Sequence, residues 1–385
     1  MSNSRSRKIP FPVIMLGIVS FFTDAASEMI YPLVPVFVAA LGSGAIVLGV
    51  IEGVAETTAA LLKLFSGILS DKLGKRKLLV LIGYAISSFV RPLTGLVTAA
   101  GQIVLVRMFD RVGKGIRTAP RNALIAAAVN ERIRGKAYGF HRALDHAGAV
   151  AGPLLAIAVL LVLFIGFKMD DPLQVLRWTF LAAIIPGLLA VLLIVFFVKD
   201  VKPAPTANRD FEFSLKNFDK NFIHYLFIMI LFTLGNSSDA FLLFRVEESL
   251  HHSGALLRIV GGIPPLQALL NGFAAVETQT RVINILFLPL VWSFFHVIKA
   301  VLSTPLGALS DRIGRKLVIN IGWGIYAFVY FAFALLVFVP ARWQIAATLL
   351  LFAVYALFYA FTEGTEKAFV ADLVAEGRRG SAFGL

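Results

Sequence analysis

Cysteine is absent from the 385 residues, which excludes disulfide staples, thiolate metal sites and cysteine nucleophiles. Charge is scarce as well. Only 15% of the residues are Asp, Glu, Lys or Arg, against about 25% in soluble globular chains. Acids are the scarcer sign, 23 against 36 bases, for a formal charge of +13. No GxSxG, HExxH or GxxxxGKS pattern occurs, so no hydrolase, zinc-protease or ATP-driven engine is expected. What fills the chain is apolar: 58% hydrophobic residues with 34 Phe and a mean hydropathy of +0.83. Neither a soluble enzyme nor a disordered chain is built this way.

A bilayer core about 30 Å thick is crossed by roughly 20 apolar residues in a helix. Ten stretches meet that description: 11–41, 46–70, 78–98, 103–129, 137–166, 176–198, 221–246, 283–309, 317–339 and 344–373. The first is too long for a signal peptide and lacks a cleavage-type sequence after it, so it reads as a retained span. Lys and Arg gather in the connections near 5–8, 72–77, 132–136, 199–220, 312–316 and 378–379. By the positive-inside rule those connections and the N-terminus are cytoplasmic. The positive charge therefore follows from topology in a lipid bilayer, and no nucleic-acid partner is expected. The polar stretch 199–220 divides the chain into an N-terminal six-helix bundle, 1–198, and a C-terminal bundle, 221–385.

The halves repeat one another. Residues 67–77 read GILSDKLGKRK and 307–316 read GALSDRIGRK; residues 131–140 read ERIRGKAYGF and 376–385 read EGRRGSAFGL. Both pairs follow equivalent spans, as in transporters built from duplicated bundles around a central site.

At these residues a family resemblance becomes specific. Gly67, Asp71, Gly74 and Arg76, repeated as Gly307, Asp311, Arg312, Gly314 and Arg315, resemble the loop motif of the major facilitator superfamily. Gly148-x3-Gly152-Pro153 resembles its antiporter motif, although Leu154 and Leu155 replace the usual small residues. The fourth span fits its motif in part, with Arg111 where glycine is usual. The resemblance implies an all-α integral membrane fold of two six-helix bundles working by alternating access, a monomer in a bacterial plasma membrane, with the residues above gating the exchange. Asp71 and Asp311 would be latches on the opposite bundle. Against this pattern two departures are expected. The chain stops at Leu385 where an eleventh span should begin, leaving the last two spans missing. A segment of about 251–281 is extra on the outer side, with Gly261-Gly262-Ile263-Pro264-Pro265 interrupting any helix.

Ionisable residues within spans are functional candidates because each costs about 2.5–3.5 kcal/mol on insertion scales. Asp24 and Glu28 lie one turn apart in the first span, as do Glu52 and Glu56 in the second. Asp239 parallels Asp24, and His296 falls where Glu56 repeats. Asp24, Glu28, Glu56, Asp239 and His296 are the candidates for proton coupling. In the fourth span Arg107, Arg111, Lys114, Arg117 and Arg121 share one helical face, with Asp110 beside them. Arg grips carboxylate or phosphate in a fork. Arg111, Lys114 and Arg117, with Glu363 and Glu366 of the tenth span, are therefore the substrate candidates, and Glu366 matches Arg121 at the repeat offset, so the halves present opposite charges at related positions. Structural pairing of the row with Asp145, Glu363 or Glu366 is the alternative. For His141, Arg142, Asp145 and His146 the reading is interfacial ion pairing, with proton relay by the histidines as the alternative.

The expected function is proton-coupled antiport, exporting a small anionic or zwitterionic molecule such as a polycarboxylate or siderophore. Export of lipophilic cations, attracted by Asp24, Glu28 and Glu56, is the rival. Transport of iron or another metal and a non-transporting receptor or scaffold stand further off. No cofactor, resident metal or catalytic residue is expected.

Overall fold

The computed structural model describes residues 8–200, 218–235, 239, 264–272 and 276–385, and the regular elements among them are all helical. α1 (Phe11–Glu28) is followed by a 3-10 turn at Tyr31–Leu33 and by α2 (Val34–Ala40). Pro32 and Pro35 lack the N–H groups that a continuous helix would need here. α3 (Ala45–Leu73) ends where Gly74 turns left-handed at φ 64°. α4 (Arg76–Val90) runs into a 3-10 turn, and α5 (Ala100–Ala128) and α6 (Arg134–Leu161) follow. At 29 residues, α5 is about 43 Å long, enough to cross a bilayer despite its charges. The sixth expected span is two helices, α7 (Pro172–Ala182) and α8 (Ile184–Phe197). Pro186 breaks the hydrogen-bond ladder at their junction.

In the second half, α9 (Lys220–Leu234), α10 (Pro264–Asn271), α11 (Val276–Ile313), α12 (Arg315–Ala334), α13 (Ala341–Leu373) and α14 (Arg379–Gly384) follow in order. Among the described residues, seven stretches are long and apolar enough to cross a membrane. They contain α1, α4, α6, α7 with α8, and most of α11, α12 and α13. Of the ten expected spans, those at α3, α5 and α9 are not among the seven. α5 carries too much charge, and α9 is short within the described residues. Two boundaries shift as well. α11 starts at Val276, so the end of the expected extra segment, 251–281, is already helix. Pro264 opens α10, since proline suits a first turn. The linker residues 201–217, and Gly261, Gly262 and Ile263, lie outside the described residues.

Large apolar side chains cover the outside. Phe196 is 71% exposed and Leu234 and Phe338 80% each, a surface that suits lipid far better than water. α1 packs on α6 and α8, α5 on α3 and α4, and α11 on α12 and α13. The halves meet along α6 with α11 and α13, and along α3 with α14.

Candidate functional site

The cationic row of α5 is met mainly by α3. Arg107 bonds Glu52 Oε1 at 2.8 Å, and Arg111 and Lys114 approach Glu56 at 3.3 and 3.9 Å. These are the helix-to-helix pairs that keep buried charge tolerable. Asp110 accepts from Arg91 of the α4 turn, whose Nη2 donates at 2.8 Å, and its other oxygen stays 4.0 Å from Arg107 of the row. Asp145, Glu363 and Glu366 form no ion pair with the row among the described residues. Two of its members are left with hydroxyls. Arg117 donates to Ser87 Oγ at 2.6 Å and stacks over the Tyr84 ring at 4.4 Å. Arg121 donates to Ser20 Oγ at 3.0 Å and to the Tyr84 hydroxyl at 3.1 Å. Both are buried.

α1 lies against α6 because glycine permits it. A Cβ at Gly148 or Gly152 would overlap the carbonyls of Phe21 or Ala25. This close approach brings Asp24 beside the arginines. The charges acting on Asp24 are Asp145, Glu28, Arg117 and Arg121, and it makes no hydrogen bond or ion pair among the described residues. Glu28 is separate in contact, accepting from Trp292 Nε1 of α11 at 2.7 Å.

A second cluster joins the halves. His146 Nε2 of α6 lies 2.8 Å from Glu363 Oε2 of α13, and its Nδ1 lies 3.2 Å from His296 Nδ1 of α11. Lys299, one turn along α11, is 3.9 Å from Glu363 and sits over the Tyr359 ring at 3.8 Å. Arg142 ties the cluster to α6, 3.5 Å from Glu363 and 2.7 Å from Asp145. Asp239 accepts from the hydroxyls of Tyr355 and Tyr359, both at 2.8 Å. His146 thus pairs with an acid, and both of its partners come from helices of the other half. Lys299 escaped the sequence reading altogether, although a lysine inside an apolar stretch is a signal in itself. Trp292, Tyr355 and Tyr359 carried no such mark, since aromatic residues are common in spans.

Glu366 stands apart, accepting from Trp323 Nε1 of α12 at 3.2 Å. Arg121, its match at the repeat offset, is not among its partners in the described residues. The repeat offset relates places in two copies, and symmetry mates need not touch.

The loop acids grip opposite halves. Asp71 accepts from the backbone N–H groups of Gly380 and Ser381 at 3.1 and 2.7 Å, and from Ser381 Oγ at 2.9 Å. Asp311 accepts from those of Gly135 and Lys136 at 3.0 and 2.9 Å. Glycine lets the helices come this close: a Cβ at Gly67 would strike Gly380 O, and one at Gly307 would strike Gly135 O. Arg76 stands 3.4 Å from Asp71, and Arg315 pairs with Asp311. Gly74 and Gly314 have positive φ at the helix ends, and Arg312 closes α11. Of the expected gating residues, Pro153 lies within α6, one turn beyond Gly148 and beside Gly152.

The model of the Major Facilitator Superfamily matches residues 16–385. The chain belongs to that superfamily. An uncharacterized MFS-type transporter of Methanocaldococcus jannaschii is 34% identical over the whole chain, which covers 86% of that protein. A probable 4-methylmuconolactone transporter of Cupriavidus pinatubonensis is 31% identical over 161 residues, 42% of this chain and 35% of that protein. Among solved structures, the human organic anion transporter MFSD10 superposes with a TM-score of 0.56 at 17% identity, covering 97% of this chain and 88% of that one. The nucleoside transporter NupG superposes with a TM-score of 0.57 at 15% identity, covering 97% and 86%. At such identities these structures share the superfamily fold. The resemblance in the doubled loop motif is thus confirmed, and the chain is a multi-pass membrane transporter carrying small molecules.

Proposed function

We propose that this protein exports a small organic anion across the plasma membrane in exchange for protons, with the N-terminus cytoplasmic and α3, α5 and α9 among its spans. One observation carries the reading. Arg117 and Arg121 are buried on one face of α5 with no carboxylate at ion-pair distance among the described residues. Two guanidinium groups facing hydroxyls can offer their remaining donors to a carboxylate, and bidentate geometry adds selectivity. Asp24 lies within electrostatic reach of them, so its protonation changes the field in which the arginines hold an anion and links the two events. The exchange direction rests on the likeness of Gly148-x3-Gly152-Pro153 to the antiporter motif. The relative from Cupriavidus pinatubonensis, with 4-methylmuconolactone in its name, supports an organic substrate of modest size.

Everted membrane vesicles carrying a pH gradient test the reading. The probes are 4-methylmuconolactone, citrate and the lipophilic cation tetraphenylphosphonium. Dissipation of the gradient by an anion, lost in both Arg117→Ala and Asp24→Asn, is expected. Dissipation by tetraphenylphosphonium alone, surviving Arg117→Ala, would replace anion export with cation export.

A further inference from the structure

The two histidines that meet between the halves differ in what each nitrogen can do. Glu363, flanked by Arg142 at 3.5 Å and Lys299 at 3.9 Å, is an acceptor. His146 Nε2, 2.8 Å away, must then carry its proton. A neutral imidazole holds one proton, so His146 Nδ1 is an acceptor and His296 Nδ1, 3.2 Å from it, is the donor. That leaves His296 Nε2 as a bare acceptor, and this atom is buried with no hydrogen-bond partner. The two rings hold opposite tautomers, and the open end of the chain can take up a proton.

From this arrangement we infer that His296, His146 and Glu363 form a proton relay across the interface between the halves. A proton binds His296 Nε2, and the proton on His296 Nδ1 passes to His146 Nδ1. The proton on His146 Nε2 then passes to Glu363 Oε2. One proton enters, one arrives on the carboxylate, and both rings finish neutral in the other tautomer. Glu363 becomes uncharged. Its attraction to Arg142 of α6 is lost, and that ion pair is one of the ties between α6 and α13. Arrival of the proton thereby loosens the halves. The inference rests on the proton-coupled reading above and deepens it, adding a protonation site at the interface between the halves to the one at Asp24.

The charges facing the histidine pair are Lys299 on α11, Arg142 on α6 and Glu363 on α13. Glu28 approaches through Trp292, whose ring centroid is 4.8 Å from that of His296. Asp239 faces Lys299. The relay thus has an acid on each side of its cations, which limits the net charge it must carry.

Two substrate-free measurements test it on the full chain. Nitrogen-15 spectra of its 6 histidines, with His146→Gln and His296→Asn assigning the two signals, report which nitrogen is protonated. Opposite tautomers are expected, with Nε2–H on His146 and Nδ1–H on His296; the same tautomer on both would overturn the relay. Separately, spin labels on cysteines introduced at Leu73 and Ile313, both 45% exposed, follow the separation of the halves. The chain has no cysteine to interfere. Acidification should widen the wild-type distribution, and Glu363→Gln should hold it wide at every pH. His296→Asn keeps a donor where Nδ1 stands but cannot pass a proton, so its response should shrink at least tenfold. A full response in His296→Asn would mean a merely structural hydrogen bond and end the proposal. Failure of every probe in the vesicle assay with these signatures intact would instead remove the export reading and leave the relay standing.

Discussion

Asp71 and Asp311 occupy matching places in the two halves and hold matching targets, backbone N–H groups at the start of a helix in the other half. Around them the halves differ. Beside Asp311, Asp372 of α13 bonds Arg134 of α6 at 2.7 Å and Arg315 at 3.1 Å. One acid there joins a cation from each half. The repeat position of Asp372 in the first half is Ala127. Beside Asp71, Arg76 keeps Nε and Nη1 without hydrogen-bond partners, and Arg379 keeps Nε without one, although all are buried. Among the described residues, an acid that joins cations of both halves is seen beside Asp311, and its repeat position beside Asp71 is an alanine. The glycine packing beneath them is alike, so the difference is electrostatic and sits on a shared steric base.

That comparison can be broken or sharpened by substitution. The largest effect belongs to the shared base. Gly67→Ala and Gly307→Ala each force a methyl into an opposing backbone carbonyl and should each cost about 1–3 kcal/mol. Thermal unfolding in detergent should show the two losses equal within error; a large inequality would mean that the packing too is asymmetric. Next comes Asp71→Ala. It removes hydrogen bonds to a charged acceptor, at a grip where an alanine stands at the repeat position of Asp372. Spin labels at Leu73 and Ile313 should report a wide separation, and exchange in vesicles should fall by about tenfold.

Asp311→Ala should act in the same direction by only about threefold, because Arg134–Asp372 still joins the halves. Adding Asp372→Ala should bring it to the level of Asp71→Ala, with a coupling that a double-mutant cycle reads directly. Equal single effects of Asp71→Ala and Asp311→Ala would refute the idea of a second tie. The smallest effect is a gain. Ala127→Asp places an acid where the repeat lacks one, and it should narrow the label distribution and slow exchange about twofold.

The sequence made much of this legible. Ten apolar stretches and a doubled loop motif pointed to the superfamily before any contact was known, because hydropathy and short motifs are local properties. The row on α5 was readable for the same reason, since a helix repeats every 3.6 residues and fixes which side chains share a face. Its partners were not. Glu52 and Glu56 meet the row only because α3 packs on α5, and Asp110 gains a second arginine only because Arg91 arrives from another helix. Repeat arithmetic related Glu366 to Arg121 but could not supply its partner, Trp323. Lys299 was missed beside His296, where the repeat had drawn attention to a single position.

Composition, hydropathy and repetition by themselves determined that this chain lives in a membrane, belongs to a duplicated transporter family and carries acids and bases inside its spans. Only the tertiary structure decided which of those charges meet. The glycines that let α1 reach α6, and α3 reach α14, set the crossing points. From those crossings follow a lone Asp24 beside two arginines and a histidine pair shared between halves. A residue's face on its own helix is written in spacing, whereas its neighbour on another helix depends on where two backbones can touch.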